Sequence, residues 1–311
     1  MATESPTRRK SIHPDTQVGL LSLTVSDLER SLAFYTSAIG FELLERVQSQ
    51  ATLGAAGKPL LLLKEQAGAQ PWPRAGQSYT GLYHFAILLP TRADLGAWVK
   101  HWTDLGYPIG QGDHLVSEAL YLEDPDGHGI EIYRDRPRDQ WQWDEGTVRM
   151  ATGPVDIRGM IEDAQREGKT FQGLPSGTKL GHMHLQVGDI PEAARFYSEI
   201  LGFDIVAKMP SALFVSAGGY HHHVGMNTWQ SKKAGPAPDD SAKLNFFTID
   251  LPSEEARDEV LRRLDEADIT YSKAGDHVAV DDPWGNGAVL QVGEARSASH
   301  VGALKKAAKS E

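Results

Sequence analysis

An internal repeat constrains the fold of this chain more than any other feature of its sequence. Residues 25–35 read Val-Ser-Asp-Leu-Glu-Arg-Ser-Leu-Ala-Phe-Tyr, and residues 187–197 read Val-Gly-Asp-Ile-Pro-Glu-Ala-Ala-Arg-Phe-Tyr. A second pair follows, with Asp-Pro-Asp-Gly at 124–127 and Asp-Pro-Trp-Gly at 282–285. The members of each pair are about 160 residues apart, which is far longer than a solenoid repeat and indicates a duplicated half.

Each half divides again into two modules with the same order of elements. An apolar strand leads to an Asp, Thr or Ser helix cap, a short amphipathic helix and three further strands. This β-α-β-β-β pattern predicts an α+β fold of four modules. The predicted modules are 17–66, 80–135, 178–230 and 243–292, and the predicted helices are 27–39, 91–105, 189–201 and 253–267.

The two repeats leave three segments over. Residues 1–16 are polar and are expected to form a disordered tail, and residues 293–311 a solvated tail. Residues 136–177 are expected to link the two repeats, with a helix over 156–166. The repeats themselves therefore span 17–135 and 178–292.

Composition excludes several classes of function. The 311 residues include no cysteine, which removes disulfides, cysteine-ligated zinc, iron–sulfur clusters and thiol nucleophiles. The net charge of −11, without a long basic run, argues against a nucleic-acid partner. No apolar run reaches the roughly 20 residues of a membrane span, and the N-terminus lacks the apolar core of a secretory signal. We therefore expect a cytoplasmic enzyme or binding protein, in which any bound metal takes nitrogen and oxygen ligands.

Four modules with Phe-Tyr and Asp-Pro-x-Gly landmarks resemble the vicinal oxygen chelate (glyoxalase/bleomycin-resistance) superfamily. The resemblance covers nearly all of residues 17–292 and implies two vicinal-oxygen-chelate domains, in which paired modules curve around a metal. Ligands in this superfamily lie on the first and last strands of a module. Its members include isomerases, transferases, dioxygenases and metal-free binding proteins, so the fold alone does not choose the activity.

The ligand positions of the superfamily are filled in two of the four modules. His84 lies on the first strand of module two, Glu131 on its last strand, and His182 on the first strand of module three. Modules one and four have apolar residues there, such as Leu20 and Phe246. The resemblance therefore implies that modules two and three pair around the metal, and modules one and four pair with each other. Two histidines and one carboxylate suit non-haem Fe(II), with Mn(II) as the alternative.

One stretch of module two narrows the resemblance to the extradiol ring-cleavage dioxygenases. Their signature is Gly-x-His, an apolar spacer, Leu-Tyr, two residues, Asp-Pro-x-Gly and then Glu. The tight Asp-Pro-Asp-Gly turn lets Tyr121 and Glu131 share one face. The chain as a whole most resembles bacterial catechol 2,3-dioxygenases. The matching positions are Gly112, His114, Leu120, Tyr121, Asp124, Pro125, Gly127 and Glu131.

The resemblance also implies catalytic side chains. Tyr121 would hydrogen-bond a substrate oxygen, and His114 would line the substrate pocket. A catalytic histidine is expected in the run 221–223, on a strand predicted over 221–229. We assign this role to His222, because strand alternation places it on the face of Val224, which we align with an empty ligand position.

Neighbouring histidines compete for these roles. His221 and His223 are the fallbacks for His222. His184 shares a strand face with His182 and is its main competitor as a ligand, although orienting another ligand is the use that we favour for it.

The implied reaction is Fe(II)-dependent insertion of O₂ into a catechol, to give a product of the 2-hydroxymuconate-semialdehyde type. The implied partners are a small aromatic diol and O₂, with no nucleic acid and no membrane, and a homo-oligomer is left open. The alternatives are a hydroquinone ring-cleaving dioxygenase, a glyoxalase-like metalloenzyme and a metal-free binding protein on the same fold. A glyoxalase-like enzyme usually has a fourth protein ligand, and Val224 at that position argues against it.

Overall fold

The computed structural model describes residues 11–72 and 78–294. Residues 1–10 and 295–311, which contain most of the two predicted tails, lie outside the described residues. Residues 11–16, assigned above to the disordered tail, instead pack against the second half. Ile12 is buried in the main core, and its amide donates a hydrogen bond of 2.7 Å to the carbonyl of Gly202.

The strands within the described ranges follow the modular pattern. Module one contains β1 (Gln17–Val25), β2 (Glu42–Val47), β3 (Gln50–Ala55) and β4 (Lys58–Glu65). Module two contains β5 (Gly81–Leu88), β6 (Gly110–Asp113), β7 (Ser117–Glu123) and β8 (Gly129–Asp135). A short hairpin of β9 (Trp143–Asp144) and β10 (Thr147–Val148) follows. Module three contains β11 (Lys179–Gln186), β12 (Asp204–Met209), β13 (Ala212–Ser216) and β14 (Val224–Asn227). Module four contains β15 (Leu244–Leu251), β16 (Ser272–Ala274), β17 (His277–Asp281) and β18 (Gly287–Val292).

The helices lie close to their predicted bounds. They are α1 (Leu28–Ala33), α2 (Arg92–Asp104), α3 (Ile157–Arg166), α4 (Ile190–Ala193) and α5 (Glu254–Glu266). α1 and α4 continue as π-helical segments, Phe34–Ile39 and Ala194–Ile200. At each module helix a capping side chain accepts a hydrogen bond from a first-turn amide that lacks a partner within the helix. The caps are Asp27, Thr91, Asp189 and Ser253. Among the described residues, no helix is both long enough and apolar enough to cross a bilayer.

Two eight-stranded mixed sheets form the framework. The first has the order β16-β17-β18-β15-β1-β4-β3-β2 and joins modules four and one. The second has the order β12-β13-β14-β11-β5-β8-β7-β6 and joins modules three and two. Each half of the sequence therefore contributes one module to each sheet, which is the pairing that the ligand positions indicated.

The two repeated landmarks of the sequence contact each other. The hydroxyl of Tyr35 donates to Asp124 Oδ2 at 2.8 Å, and the hydroxyl of Tyr197 donates to Asp282 Oδ2 at 3.1 Å. Each bond joins the π-helical segment of one module to the Asp-Pro-x-Gly turn of the next. Because modules one and two lie in different sheets, as do modules three and four, these buried bonds tie the two sheets together.

The segment predicted as a linker is a packed part of the molecule. α3 forms the predicted helix, begins after the cap Asp156 and packs against α2. Trp141 and Val148 are buried in a small cluster with Tyr220 of module three. The segment therefore covers one end of the second sheet as well as connecting the halves.

Candidate metal centre

Strand alternation brings three potential ligands to one face of the second sheet. His84 and Ala86 lie two residues apart on β5 and so point to the same side. Ala86 is the pairing partner of Glu131 on the parallel strand β8 and of His182 on the antiparallel strand β11. Paired residues of neighbouring strands share a face, so His84, Glu131 and His182 converge.

These three side chains form a compact buried cluster. Glu131 Oε2 lies 3.0 Å from His84 Nε2 and 3.1 Å from His182 Nε2. One potential ligand atom from each residue falls within 4.8 Å of the others. Across residues 11–72 and 78–294, this is the one group of three or more histidines and carboxylates close enough to hold a metal.

The electrostatics of the cluster favour its ligating forms. Burial acts to raise the pKa of Glu131, but His182 and His84 outweigh burial and hold this pKa well below its usual value. Burial lowers the pKa of His84, and its interaction with Glu131 offsets only part of that effect. A carboxylate beside a neutral imidazole is the protonation state that a metal requires.

The donor atoms fit a divalent transition metal. His84 Nε2 is buried and makes no hydrogen bond of acceptable geometry, although Glu131 is close to it. An unpartnered buried nitrogen costs free energy, and a cation between His84, Glu131 and His182 would satisfy it. Two imidazole nitrogens and one carboxylate oxygen match the non-haem Fe(II) ligand set, which leaves positions open for other molecules.

Tyr121 and His114 form a hydrogen-bonded pair beside the cluster. Tyr121 lies opposite Glu131 in the β7–β8 pair, and its hydroxyl is 2.6 Å from His114 Nε2. His114 Nδ1 lies 2.9 Å from the carbonyl of Ala151. Because a carbonyl only accepts, Nδ1 carries a proton, so in neutral His114 the Nε2 atom accepts from Tyr121. Burial, and then Glu131, raise the pKa of Tyr121 well above its usual value and keep the phenol protonated.

His222 reaches the same site from a loop. β14 begins only at Val224, so the strand predicted over 221–229 is shorter than expected. Val224 packs into the main core, on the opposite side of the sheet, and Gly225 lies opposite His184 instead. The alignment of Val224 with the empty ligand position was therefore wrong by one residue. The ring of His222 nevertheless lies 4.1 Å from that of His182, measured between centroids.

A chain of hydrogen bonds fixes the tautomer of His222. His221 Nε2 lies 2.8 Å from Asp135 Oδ1, and His221 Nδ1 lies 2.8 Å from His222 Nδ1. A carboxylate accepts, so His221 donates from Nε2 and accepts at Nδ1 when it is neutral. His222 then carries its proton on Nδ1, and its Nε2 is unprotonated. Burial, with the neighbouring His182 and His221, holds the pKa of His222 well below its usual value.

The other candidate histidines have structural partners. His223 Nδ1 accepts from the amide of Ala217 at 3.1 Å, and burial lowers the pKa of His223 to about 3. His184 Nε2 accepts from the Asn227 side-chain amide at 3.0 Å. The ring of His184 meets that of His84 edge-on, with centroids 4.9 Å apart, but His184 does not belong to the three-residue cluster.

A cavity of about 1150 Å³ connects these groups with solvent. Five of the six predicted site residues line it, and the exception is His182. Met150, Ala151 and Thr152, from the predicted linker, form part of the wall, and Trp229 lies at its edge. Sequence reasoning missed these residues, because no motif marks them and only the fold brings them to the site. The predicted residues on the lining are His84, His114, Tyr121, Glu131 and His222.

The first sheet carries an apolar cluster at the equivalent place. The repeat and the strand pairing align Leu20 with His182, Phe246 with His84, and Val289 with Glu131. These three side chains are buried together with two more apolar residues, and they leave no polar donor to a metal. The full cluster is Leu20, Leu62, Phe246, Ala279 and Val289.

Comparisons with known proteins agree with this architecture. The family model of the Glyoxalase/Bleomycin resistance protein/Dioxygenase superfamily matches residues 17–132 and 179–289. A catechol-2,3-dioxygenase of Bacillus subtilis (strain 168) is 50% identical over 277 residues, which are 88% of this chain and 96% of that protein.

Two solved structures illustrate the shared fold. A proposed dioxygenase from Bacillus subtilis subsp. subtilis strain 168 has a TM-score of 0.62 and 14% identity, over 92% of this chain and 86% of that chain. Glyoxalase I from Zea mays has a TM-score of 0.52 and 16% identity, over 89% of this chain and 92% of that chain. At such identities the structures show the fold alone. Because the family model matches both halves and the B. subtilis relative aligns along almost its whole length, the chain belongs to the glyoxalase/bleomycin resistance protein/dioxygenase superfamily.

Proposed function

We propose that this protein is an Fe(II)-dependent extradiol dioxygenase, which cleaves a catechol ring beside its two hydroxyl groups. The observation that carries this proposal is the buried cluster of His84, Glu131 and His182 at a cavity that Tyr121 and His222 also line. The relative named catechol-2,3-dioxygenase, at 50% identity, supports the same assignment. The reactants would be an aromatic diol and O₂, and the product would be of the 2-hydroxymuconate-semialdehyde type.

His84, Glu131 and His182 would hold the metal. Bound Fe(II) would supply a redox-active centre with open positions, at which a vicinal diol and O₂ can meet. We favour Fe(II) over Mn(II), because two histidines and one carboxylate are the ligand set of non-haem iron oxygenases.

His222 is assigned as the general base. Its neutral imidazole has an unprotonated Nε2 when His221 and Asp135 hold its proton on Nδ1. His222 would take a proton from a diol hydroxyl and return it to the ring-opened product. The low pKa of His222 keeps the imidazole neutral and able to accept that proton at neutral pH.

Tyr121 and His114 are assigned as a hydrogen-bonded pair. Their donor and acceptor roles would change when a substrate oxygen loses its proton. With His114 neutral, the Tyr121 hydroxyl donates to Nε2 and can accept a hydrogen bond from a substrate hydroxyl. If the substrate hydroxyl gives its proton to the Tyr121 oxygen while Tyr121 gives its own proton to His114 Nε2, then Nε2 donates to Tyr121 and the Tyr121 hydroxyl donates to the substrate oxygen. The pair would therefore stabilise negative charge as it develops on the substrate.

A glyoxalase-like reaction is less well supported. A fourth protein ligand would be expected on β14, but Gly225, which lies opposite His184, has no side chain to offer. Hydroquinone cleavage would use the same residues and is distinguished by substrate alone.

Oxygen consumption by the Fe(II)-loaded protein tests this function. We expect uptake of O₂ with catechols, together with formation of a ring-opened product, and slower uptake with hydroquinones. His84→Ala and Glu131→Gln should each lower bound iron and reduce turnover by about 100-fold or more, because each removes a donor of the site. His277→Ala, on the first sheet, is the matched control and should change neither quantity.

The proposal fails if none of the catechols tested supports O₂ consumption by the iron-loaded protein. Retention of iron at wild-type stoichiometry in both ligand variants would contradict the assigned metal site. If hydroquinones were turned over faster than every catechol, the substrate would be a hydroquinone, and the assigned metal site would be unaffected.

A further inference from the structure

The size of the cavity does not match an unsubstituted catechol. Its volume is about 1150 Å³, whereas drug-sized ligands fill pockets of about 300–1,000 Å³. A single ring bound at His84 and Glu131 would leave most of this space to water. The cavity is therefore large enough for a diol with a substantial substituent.

The lining indicates the chemistry of that substituent. Among the described lining residues there is no lysine and no arginine, and the acidic ones are Glu123, Asp124 and Glu131. A carboxylate or phosphate on the substituent would therefore meet no lysine or arginine along the described wall to balance its charge. The walls between the metal cluster and solvent are largely apolar, and Phe34, Trp102 and Ile109 contribute to them.

The opening of the cavity is also apolar. Tyr107, Met209 and Trp229 line the cavity and are 52%, 47% and 53% exposed. Single exposed apolar side chains need no explanation, but these three, from distant parts of the sequence, line one cavity. Trp229 is held in place by Tyr83, whose ring it meets edge-on at 5.3 Å between centroids.

We propose that the substrate is a catechol with an uncharged apolar substituent, which extends from the metal cluster toward Tyr107, Met209 and Trp229. This inference rests on the proposed dioxygenase function and names its substrate class. The ring would lie at the polar end of the cavity, and the substituent would replace water along the apolar wall. Each methylene that is buried there should raise kcat/KM by about fourfold, because apolar burial lowers the free energy of the bound states.

Steady-state kinetics with a substrate series test the inference. The series is catechol, 3- and 4-butylcatechol, and the two butanoate analogues that end in a carboxylate. We expect the better butylcatechol to exceed catechol in kcat/KM by about tenfold or more, and its carboxylate analogue to lose most of that gain. Catechol as the best substrate, or equal use of the charged and uncharged analogues, would overturn the inference. No O₂ uptake with any of these compounds would instead refute the dioxygenase function itself.

Variants at the opening make the test specific. Trp229→Ala should lower the ratio of kcat/KM for butylcatechol to that for catechol by about threefold to tenfold, because it removes apolar contact with the substituent. Met209→Arg should raise the use of the carboxylate analogue relative to butylcatechol by about tenfold, because it supplies a cation. Ile205→Arg is the matched control, since Ile205 lies on the same strand, is 39% exposed and does not line the cavity. Equal changes in selectivity in the two arginine variants would also overturn the inference.

Discussion

At the scale of single residues, the proposed role of His222 depends on two side chains that do not line the cavity. His221 bonds to His222, and Asp135 bonds to His221, with both distances 2.8 Å. The carboxylate decides which nitrogen of each imidazole carries the proton. In the proposed mechanism Asp135 would therefore act as a positioning residue, comparable in logic to the aspartate of a serine protease triad.

The variant Asp135→Asn should lower kcat by about 10- to 100-fold with little change in iron content or KM. An asparagine can donate to His221 Nε2, which moves the proton of His221 to Nδ1 and that of His222 to Nε2, so the base is lost. The measurements are steady-state kinetics and ¹⁵N NMR of the imidazoles, which reports the tautomer of His222. Asp139→Asn, at an exposed position nearby, is the control. A normal kcat in Asp135→Asn would show that the relay has no role in turnover.

Sequence reasoning reached part of this site. His84, Glu131 and His182 could be found because the superfamily resemblance assigns ligands to the first and last strands of a module. Each of them lies inside a regular strand, where position along the chain fixes the face. The His221–His223 run could not be placed in this way, because it lies in the loop before β14, and Gly218 and Gly219 adopt left-handed backbone conformations just ahead of it. Alternation has no meaning in such a loop, which explains the one-residue error at Val224.

At the scale of structural elements, the two Asp-Pro-x-Gly turns differ at one decisive position. Asp124 is hydrogen-bonded by His128, whereas Asp282 is hydrogen-bonded by Asn286. Burial acts to raise the pKa of both aspartates. His128 outweighs burial and lowers the pKa of Asp124, but with Asn286 the pKa of Asp282 is raised to about 6. The same turn therefore holds a carboxylate in one sheet and a readily protonated acid in the other.

This difference predicts opposite effects of pH on stability. The pKa of Asp282 is higher in the folded state than its value of about 3.9 in the unfolded chain, so its contribution is present below pH 4 and is lost as the pH rises to about 6. Relative to Asp282→Asn, the wild-type protein should lose on the order of 3 kcal/mol of unfolding free energy between pH 4 and pH 7. Urea denaturation of the metal-free protein over this pH range measures the difference.

Asp124→Asn is the control in the equivalent turn. The pKa of Asp124 is lowered, so its contribution is present above the unfolded pKa and is lost as the pH falls through the folded value. The advantage of the wild type over Asp124→Asn should therefore not decrease from pH 4 to pH 6, where His128, whose pKa Asp124 raises, stays protonated in the folded state. The same slope for both variants would mean that His128 and Asn286 do not set the charge of the two turns.

The predicted and observed elements agree where local chemistry determines them. The bounds of α2 and α5 could be predicted because Thr91 and Ser253 cap them. The wall formed by Met150–Thr152 could not, because residues 136–177 lack a repeated counterpart and their position depends on contacts with a distant module. Sequence periodicity reports burial but does not identify the partner that buries a segment.

At the scale of the whole molecule, duplication has given two sheets with different interiors. The second sheet places Glu131 beside two histidines, whereas the first packs Val289 in one apolar cluster with Leu20 and Phe246. Buried charges and imidazoles cost free energy, and packed apolar side chains stabilise. One sheet therefore carries the candidate chemistry, and the other contributes an apolar core.

The variant Val289→Glu tests this division. A carboxyl group at this position would be buried without the histidines that stabilise Glu131, so we expect a loss of about 3 kcal/mol or more in unfolding free energy. The loss should grow as the pH rises, because burial raises the pKa of the new acid and its charged form is the costly one. Chemical denaturation at pH 5 and pH 8 measures both effects.

Val47→Glu is the control, because Val47 is 55% exposed on the edge strand β2 of the same sheet. Its unfolding free energy should stay within about 0.5 kcal/mol of the wild type. A loss of unfolding free energy in Val289→Glu as small as that in Val47→Glu would contradict a tightly packed apolar core in the first sheet. That core is the cluster of Leu20, Leu62, Phe246, Ala279 and Val289.

Each sheet combines one module from each half of the chain, so neither sheet can be completed before the second half has been synthesised. β5 and β8 are synthesised early, but the strand that pairs with β5 across the centre of the sheet is β11, which begins at Lys179. Until β11 has emerged, His84 and Glu131 face no third donor, and the first half cannot close its sheet. A nascent chain that stalls before His182 therefore lacks one of the three side chains of the candidate cluster.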